Sequence, residues 1–480
     1  MNYKFVLSSG NNKKGIIILL SMLVLGFILR VYHLGNLSLW FDELCTARRS
    51  VFSPSAIINN AAFSSFPPLY YLMMNLWIKA FGSSEFALRF PSLIFSCLSL
   101  IFVFIVAKEL FNERVGLYSA LLLSVSPYSI NYAQEAKMYS LLWLLGILSF
   151  LYFYRFTQCG SVKNLVLYSI FAILSIYTMY IGFIFIITQN LLFFAFFNPK
   201  LKKKWLLGQL LIVVAFLPWA DKFYFSALHR TGVDWIPKIT DYLKYMQDFF
   251  LLITGIAFQE PGTKRYFIKA ELLLYLALLI SAFLHIKSET AKKYRFRFGV
   301  NDWVVFAWII VPLIIYLLIE NLCYPMLVYR YMGFILIPLT IFFAKGLSKL
   351  GTKMKPTILI LLMFFIFSLH LIPYFKYNQK IDNEDWRELY SQIEKRPKEN
   401  SLIICFPNGA WIMGYYCKNT KIVDYPEAPG PEVLREKYAS IFVIYRERNE
   451  PGIRGNPYFH LEERYSLGTI GFRWYKSGIS

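Results

Sequence analysis

Long apolar runs alternate with short basic clusters over roughly the first three quarters of the chain. A helix needs about 20 apolar residues to cross the hydrocarbon core of a bilayer, so these runs predict membrane-spanning helices. One further segment, 67–81, is amphipathic, and we expect it to lie along the membrane surface. We predict spans at 15–31, 90–107, 115–125, 141–154, two short ones within 165–197, 205–219, 267–286, one ending near 319, 331–344 and 357–372.

The basic clusters orient these spans. Lys4, Lys13 and Lys14 precede the first span, and the clusters within 200–204, 287–297 and 345–355 all fall on the same side of the predicted bilayer. Lysine and arginine are enriched in cytoplasmic loops, so this side is the cytoplasm and the N-terminus lies inside. With about 11 spans, the C-terminus lies outside.

The composition changes from about Pro373 onward. SLIICF and SIFVIYR predict short buried strands, and EDWRELYSQIEK predicts an exposed helix. The predicted fold is therefore mainly α: a polytopic membrane helix bundle, residues 1–372, followed by a small α/β domain on the outer face, residues 373–480. The first outer loop is expected at 32–89.

Composition supports the membrane class. Hydrophobic residues make up 57% of the 480 residues and charged residues only 16%, against about 25% charged residues in soluble domains. The net charge of +21 falls in the loops between apolar runs and forms no basic stripe on a soluble domain, so nucleic acid is not an expected partner. The six cysteines show no metal-binding spacing. Cys405 and Cys417 could pair in an oxidising compartment, but we expect two free thiols.

The first outer loop carries the segment SLWFDELCTARRS, in which Asp42 and Glu43 follow an aromatic pair. A carboxylate at a low-dielectric boundary is a candidate general base for an incoming hydroxyl. Adjacent residues cannot both face one point, so Asp42 is assigned as the base and Glu43 a supporting or acceptor-binding role. The alternative is a solvated acidic pair that caps an interfacial helix.

Three cations fall at the predicted outer boundary: Arg89, Lys137 and Arg330. Charged groups are costly there and often mark a site, and converging cations could hold a phosphate. Each could instead extend its charged end to the lipid headgroups. A carboxylate base beside three cations is typical of displacement at carbon with a phosphate leaving group.

Several segments carry a family resemblance. They are LRVYHLGNLSLWFDE, PPLYYLMMNLWIKAFGSSEFALRFPS, SPYSINYAQEAKMYS, FLPW, YRYMGFILIP and EDWRELY. The chain resembles the polytopic GT-C glycosyltransferases, of the dolichyl-phosphate-mannose protein mannosyltransferase and bacterial aminoarabinose lipid A transferase type. The match is dense over about 30–155 and sparse afterwards.

The resemblance implies that Asp42 matches the catalytic carboxylate and Arg89 a lipid-phosphate contact. It further implies substrate-binding or flanking positions at Pro67, Pro68, Tyr70, Tyr71, Gln134, Glu135, Lys137 and Tyr139. The chain departs from the family pattern at Phe66 and Met179, where members carry histidine or lysine, and at Lys137, where arginine is usual. Losing both histidine positions leads us to expect no metal site and no cofactor, although a divalent metal stays open.

The function expected from the resemblance is sugar transfer from a polyprenyl-phosphate-linked donor to an acceptor hydroxyl, on the outer face of a bacterial or archaeal cell membrane. A single base predicts inversion at the anomeric carbon. Two alternatives stay open: a lipid-linked-sugar flippase or other transporter, and a non-catalytic scaffold. The partners are the bilayer, the lipid-linked sugar and a protein, lipid or glycan acceptor. Neither the sugar nor the acceptor follows from the sequence.

Overall fold

The structure is a computed structural model. It describes residues 11–61, 66–229, 238–254, 284–286, 294–296, 299–323, 325, 327–350, 371, 375, 385–396, 400–406, 409–417, 420–424, 427–428, 433–434, 437–446, 459–467 and 470–477. The spans predicted at 267–286 and 357–372 lie almost entirely outside the described residues.

The chain divides into two compact units. The first, called here the helical unit, comprises Met1–Tyr32, Phe52–Phe81 and Arg89–Asn378, and the second, the C-terminal unit, comprises His33–Val51, Gly82–Leu88 and Gln379–Ser480. Two segments of the predicted first outer loop thus pack with the C-terminal unit. The boundary predicted between 372 and 373 stays a prediction.

The fold is mainly helical, as predicted. The helices before the C-terminal region are α1 (Asn11–Val31), α2 (Phe41–Ser50), α3 (Pro54–Ala61), α4 (Leu69–Phe81), α5 (Glu85–Leu110), α6 (Glu113–Ser124), α7 (Pro127–Ala133), α8 (Tyr139–Cys159), α9 (Val162–Thr178), α10 (Gly182–Phe196), α11 (Lys202–Phe216), α12 (Ala220–His229), α13 (Tyr242–Thr254), α14 (Val300–Leu322) and α15 (Leu336–Leu350). A short hairpin of β1 (Leu284–Ile286) and β2 (Tyr294–Phe296) precedes α14.

Among the described residues, four helical segments have the length and apolar composition to cross a membrane: Glu85–Leu110, Tyr139–Cys159, Pro199–Leu228 and Val300–Leu322. Shorter apolar helices lie at Gly15–Val31, Val162–Thr178 and Gly182–Phe196. The protein is therefore an integral membrane protein, as expected. The predicted third span corresponds to α6, which has 12 residues and is only about 18 Å long, shorter than the ~30 Å core. The count of about 11 spans and their orientation stay predictions.

Local capping sets the path of the chain between α6 and α8. The Ser126 hydroxyl accepts the N–H of Ser129, and Pro127 occupies the first turn of α7, where its missing N–H costs nothing. Helix α8 ends at Gly160, which adopts φ 62°, a left-handed conformation that glycine accepts readily. The short helix α7 therefore starts at a fixed corner immediately after α6.

A chain of polar side chains crosses the packed faces of α9, α10 and α11. Trp205 Nε1 donates to Asn190 Oδ1 at 2.9 Å, Asn190 Nδ2 donates to Gln209 Oε1 at 2.9 Å, and Gln209 Nε2 donates to the Tyr168 hydroxyl at 3.2 Å. Such bonds between helices satisfy polar groups that water cannot reach. They fix the register of three helices against one another.

The C-terminal unit contains the predicted α/β domain. Its strands are β3 (Ser401–Cys405), β4 (Lys421–Asp424), β5 (Ser440–Arg446), β6 (Phe459–Leu467) and β7 (Ile470–Ser477), and its helices are α16 (Trp386–Glu394) and α17 (Ala410–Tyr416). The sheet has the order β4-β3-β5-β7-β6. β3 runs parallel to both β4 and β5, whereas β7 is antiparallel to β5 and β6. The strands predicted for SLIICF and SIFVIYR are confirmed as β3 and β5.

Helix α16 is confirmed for the segment EDWRELYSQIEK, but the prediction that it is exposed is wrong for one of its faces. Trp386, Leu389 and Ile393 are buried, and their i, i+3, i+7 spacing places them on one side of the helix. The Asp385 carboxylate caps this helix by accepting the N–H of Glu388 at 3.1 Å. Both Cys405 and Cys417 are free, buried thiols.

Candidate active site

Asp42 and Glu43 lie in the first turn of α2, within the C-terminal unit. Glu43 is fully buried, and its Oε2 accepts the backbone N–H of Trp40 at 3.3 Å. This is the capping bond that a glutamate at the third helical position makes, so the capping alternative describes Glu43. Asp42 is only partly buried. The exposed edge of Asp42 leaves it the more accessible of the two carboxylates.

The segment 126–139, called here the second outer loop after its expected position, forms an aromatic cluster in the helical unit. The Tyr128 hydroxyl donates to the carbonyl oxygen of Tyr329 at 2.6 Å, and the rings of Tyr128 and Trp143 stack at 5.6 Å. The Tyr132 ring makes an edge contact with that of Tyr139 at 5.4 Å. These contacts join the second outer loop to the segment that carries Arg330.

The charges around Tyr132 show which predicted residues meet. Burial raises the pKa of the Tyr132 hydroxyl, the Glu135 carboxylate raises it further, and the Arg330 guanidinium lowers it. Glu135 and Arg330 therefore both lie close enough to this buried phenol to act on its charge. Glu135 Oε1 accepts from Asn131 Nδ2 at 3.3 Å.

Lys137 is attached to the start of α5. Its carbonyl oxygen accepts the hydroxyl of Ser92 at 3.1 Å, and Ser92 lies one turn after Arg89 on the same helix. Arg89 and Lys137 are both almost fully buried, and the Lys137 ammonium lies 5.5 Å from the centre of the Phe66 ring. Such a distance allows a cation–π interaction. All three predicted cations thus lie in the helical unit: Lys137 within the second outer loop, and Arg89 and Arg330 on segments that contact this loop.

Gln134 joins the second outer loop to α1. Its Nε2 donates to the carbonyl oxygens of Arg30 at 3.0 Å and Tyr32 at 2.7 Å. The amide thereby caps the C-terminal end of α1, so the structure gives it a positioning contact, and its predicted contact with substrate stays a prediction.

Of the remaining predicted positions, Pro68, Tyr70 and Tyr71 lie at the start of α4, and Tyr139 lies at the start of α8. Pro68 immediately precedes the helix, and its carbonyl oxygen accepts the N–H of Leu72 at 2.9 Å. Tyr70 and Tyr71 lie in the first turn and are buried, with ring centres 6.1 Å apart. These positions, which the resemblance places beside the active site, therefore lie at a helix start whose aromatic side chains pack inward. Tyr139, at the start of α8, is likewise buried.

The sequence did not single out the buried charges of Arg30 and Glu320. Arg30 and Glu320 are 0% and 2% exposed, and Glu320 accepts the backbone N–H groups of Ile239 at 3.4 Å and Leu327 at 3.0 Å. Glu320 thus holds the segment leading to Arg330. An isolated charge beside or within an apolar run was the available signal for both.

The comparisons with known proteins agree with this architecture. Residues 65–220 match the family model described as dolichyl-phosphate-mannose-protein mannosyltransferase. Among solved structures, apo ArnT from Cupriavidus metallidurans superposes with a TM-score of 0.63 at 11% identity, covering 97% of this chain and 98% of that chain. The predicted resemblance is confirmed. The chain therefore shares the fold of this ArnT structure over nearly its whole length.

Two further structures share this fold. ArnT from Cupriavidus metallidurans bound to undecaprenyl phosphate matches with a TM-score of 0.57 at 11% identity, over 97% of this chain and 98% of that chain. The apo oligosaccharyltransferase from Archaeoglobus fulgidus matches with a TM-score of 0.51 at 12% identity, over 90% of this chain and 70% of that chain. Among curated proteins, no sequence matches.

Proposed function

We propose that this chain is a membrane glycosyltransferase that takes its sugar from a polyprenyl-phosphate donor. The observation that carries the proposal is the GT-C fold over 97% of the chain, together with the family match at 65–220. One of the ArnT structures with this fold is bound to undecaprenyl phosphate, which supports a lipid-phosphate donor here.

The charges of the helical unit support the donor class. The three predicted cations lie in or next to the second outer loop: Arg89, Lys137 and Arg330. A guanidinium can hold a phosphate through two parallel hydrogen bonds, whereas an ammonium acts as a point charge. Their proposed role is to bind the donor phosphate and stabilise it as it leaves. Because charge on the leaving phosphate grows in the transition state, each cation should act mainly on kcat.

Asp42 is the proposed general base. Its carboxylate accepts the proton of the acceptor hydroxyl as that oxygen bonds to the anomeric carbon, and the bond from this carbon to the phosphate oxygen breaks. Direct displacement of this kind inverts the anomeric configuration. A product of retained configuration would contradict the role of Asp42 as a simple base.

The first experiment is sugar transfer in proteoliposomes from a panel of radiolabelled polyprenyl-phosphate sugars with a range of acceptors. We expect Asp42→Asn to lose at least about 10²-fold in kcat, in the range of general-base catalysis. Asp385→Asn is the matched control, because Asp385 also begins a helix of the C-terminal unit and asparagine caps equally well. Equal transfer by the wild type and Asp42→Asn would remove Asp42 from the chemistry.

The cations are tested separately. Arg89→Gln and Arg330→Gln should each lower kcat about 10²-fold, the cost of losing one transition-state donor. Lys163→Gln changes an exposed lysine at the start of α9 and should leave transfer unchanged. A transporter instead predicts movement of the lipid-linked sugar across the bilayer with no transfer in any acceptor panel.

The proposed orientation can be tested with the cysteines that the chain already has. Cys159 and Cys323 are exposed, and the predicted topology puts Cys159 inside and Cys323 outside. A membrane-impermeant maleimide should label Cys323 in intact cells and Cys159 only after permeabilisation. The reverse pattern would overturn the assignment of the outer face.

A further inference from the structure

Helix α17 contacts both segments of the first outer loop that belong to the C-terminal unit. The Tyr416 hydroxyl accepts the backbone N–H of Leu39 at 2.8 Å, and the Tyr415 hydroxyl donates to the carbonyl oxygen of Ser83. Arg387 of α16 adds a hydrogen bond to the Asn36 carbonyl oxygen and lies 3.7 Å from the Glu85 carboxylate. Residues before α2 and at the start of α5 are thus held by the same pair of helices.

Trp411, in the first turn of α17, lies against α2 itself. Its ring centre is 5.7 Å from that of Phe41 and 4.8 Å from the guanidinium carbon of Arg48. Phe41 and Arg48 are seven residues apart, about two helical turns, so they lie on one face of α2. One indole therefore contacts both ends of this 10-residue helix.

Trp411 is itself held firmly on the sheet. Ile412 and Met413, the next two residues, are fully buried. The backbone N–H of Ala410 donates to Asp424 Oδ1 at 2.7 Å, which ties the start of α17 to the end of β4. The indole is thus carried by an element with few alternative positions.

We propose that Trp411 is a positioning residue for Asp42, and that the C-terminal domain contributes to sugar transfer by holding α2 at a fixed angle. The proposal rests on the function proposed above, in which Asp42 is the base. Asp42 directly follows Phe41, so a tilt of α2 about this contact moves its carboxylate. A displacement of about 1 Å can cost about 10²-fold in rate.

The test compares Trp411→Ala and Trp411→Phe with Trp474→Ala. Trp474 lies on β7 of the same sheet and stacks on Phe442 at 6.0 Å, so its loss reports general weakening of the domain. We expect Trp411→Ala to lower kcat about 10²-fold at an unchanged donor KM, since the proposed phosphate ligands lie in the helical unit. Trp411→Phe keeps a ring against Phe41 and Arg48 and should recover most of the rate.

Two further measurements separate this inference from the proposed function. Hydrogen exchange of the backbone amides 41–50 should accelerate in Trp411→Ala and stay unchanged in Trp474→Ala, whatever Asp42 does in catalysis. The double variant Trp411→Ala, Asp42→Asn should be no slower than Asp42→Asn alone, because both changes act on one carboxylate. If Asp42→Asn proves active, Asp42 is not the base. The hydrogen exchange of 41–50 then still tests whether Trp411 holds α2 in place.

Three results would overturn the inference: unchanged exchange over 41–50 in Trp411→Ala, equal losses of kcat in Trp411→Ala and Trp474→Ala, or a loss that adds to that of Asp42→Asn. If Trp411→Ala fails to fold, Phe41→Leu removes the ring from the other side of the contact. It should give the same accelerated exchange and lower kcat, and a variant with neither change would contradict the role of Trp411.

Discussion

Two arginines, one in each unit, hold their positions by opposite means. Arg30 in α1 is fully buried and donates to neutral oxygens of Gly26, Ser96, Leu123, Ser124 and Ser129, at 2.8–3.1 Å. Arg396 in the C-terminal unit binds the Glu463 carboxylate, whose side chain is 40% exposed. The buried Arg30 joins four helices through neutral oxygens, whereas Arg396, 13% exposed, pairs with a carboxylate that faces water.

The comparison shows which kind of charged group can hold the segments of the candidate site in place. Leu123 and Ser124 end α6, and a cation at that end meets the negative end of the helix dipole. Ser129 lies on α7, and α7 leads directly to Gln134, Glu135 and Lys137. Arg30 therefore fixes the corner from which the second outer loop starts, and an exposed ion pair of ordinary strength could not replace it.

The largest expected effect is that of Arg30→Met, which keeps an apolar stem of similar length but removes all five donated bonds. Three buried carbonyl oxygens, those of Gly26, Leu123 and Ser124, lose this donor, so we expect a loss of about 3 kcal/mol in stability. The measurement is the melting temperature in detergent, with proteolysis within 121–135 as a local readout. Arg30→Lys should recover only part of the loss, because one ammonium cannot reproduce the guanidinium fork.

Ser21→Ala is the matched control for this prediction, since Ser21 lies on the same helix and its hydroxyl donates an exposed hydrogen bond to the Ile17 carbonyl oxygen. It should melt like the wild type. If Arg30→Met melts at the wild-type temperature and stays resistant to proteolysis within 121–135, Arg30 does not hold these helices together.

A smaller effect is expected of Asn190→Leu, which interrupts the polar chain of the helical unit. The Trp205 N–H and the Gln209 carbonyl oxygen would both lose a partner, at a cost of about 1–2 kcal/mol. The melting temperature in detergent measures this, with Ile187→Leu on the exposed face of the same helix as the control. Equal melting temperatures of Asn190→Leu and Ile187→Leu would mean that these hydrogen bonds between helices add no stability.

The sequence predicted the helices and strands better than the contacts that join distant segments. Apolar runs located α5, α8 and α14, because bilayer thickness sets their length, and short apolar runs bounded by charges located β3 and β5. It did not predict that 33–51 would pack with Trp411 and Tyr416, since no periodicity links positions some 370 residues apart. It also missed Arg30: an isolated arginine at the end of an apolar run is visible in the sequence, but which oxygens accept its hydrogen bonds depends on how the helices pack.

The smallest expected effect is that of the Arg396–Glu463 pair. The hydrogen bond from Arg396 lowers the pKa of the Glu463 carboxyl below its ordinary value of 4.5. The pair therefore stabilises the fold above about pH 4.5, and this contribution is lost as the pH falls through the lower, folded-state pKa. Because Glu463 is exposed, we expect Glu463→Gln to cost no more than about 1 kcal/mol at pH 7.

The melting temperatures of wild type and Glu463→Gln should differ slightly at pH 7 and converge as the pH falls below the lowered pKa of Glu463, where the wild-type carboxyl is also neutral. Glu462→Gln is the control, because Glu462 lies on the same strand and its carboxylate is 4.0 Å from the Lys476 ammonium, a weaker contact. A difference that grows as the pH falls would show that the carboxylate is destabilising in the folded protein. A loss at pH 7 as large as that of Arg30→Met would remove the contrast between the two arginines, because exposure to water would then not weaken the pair.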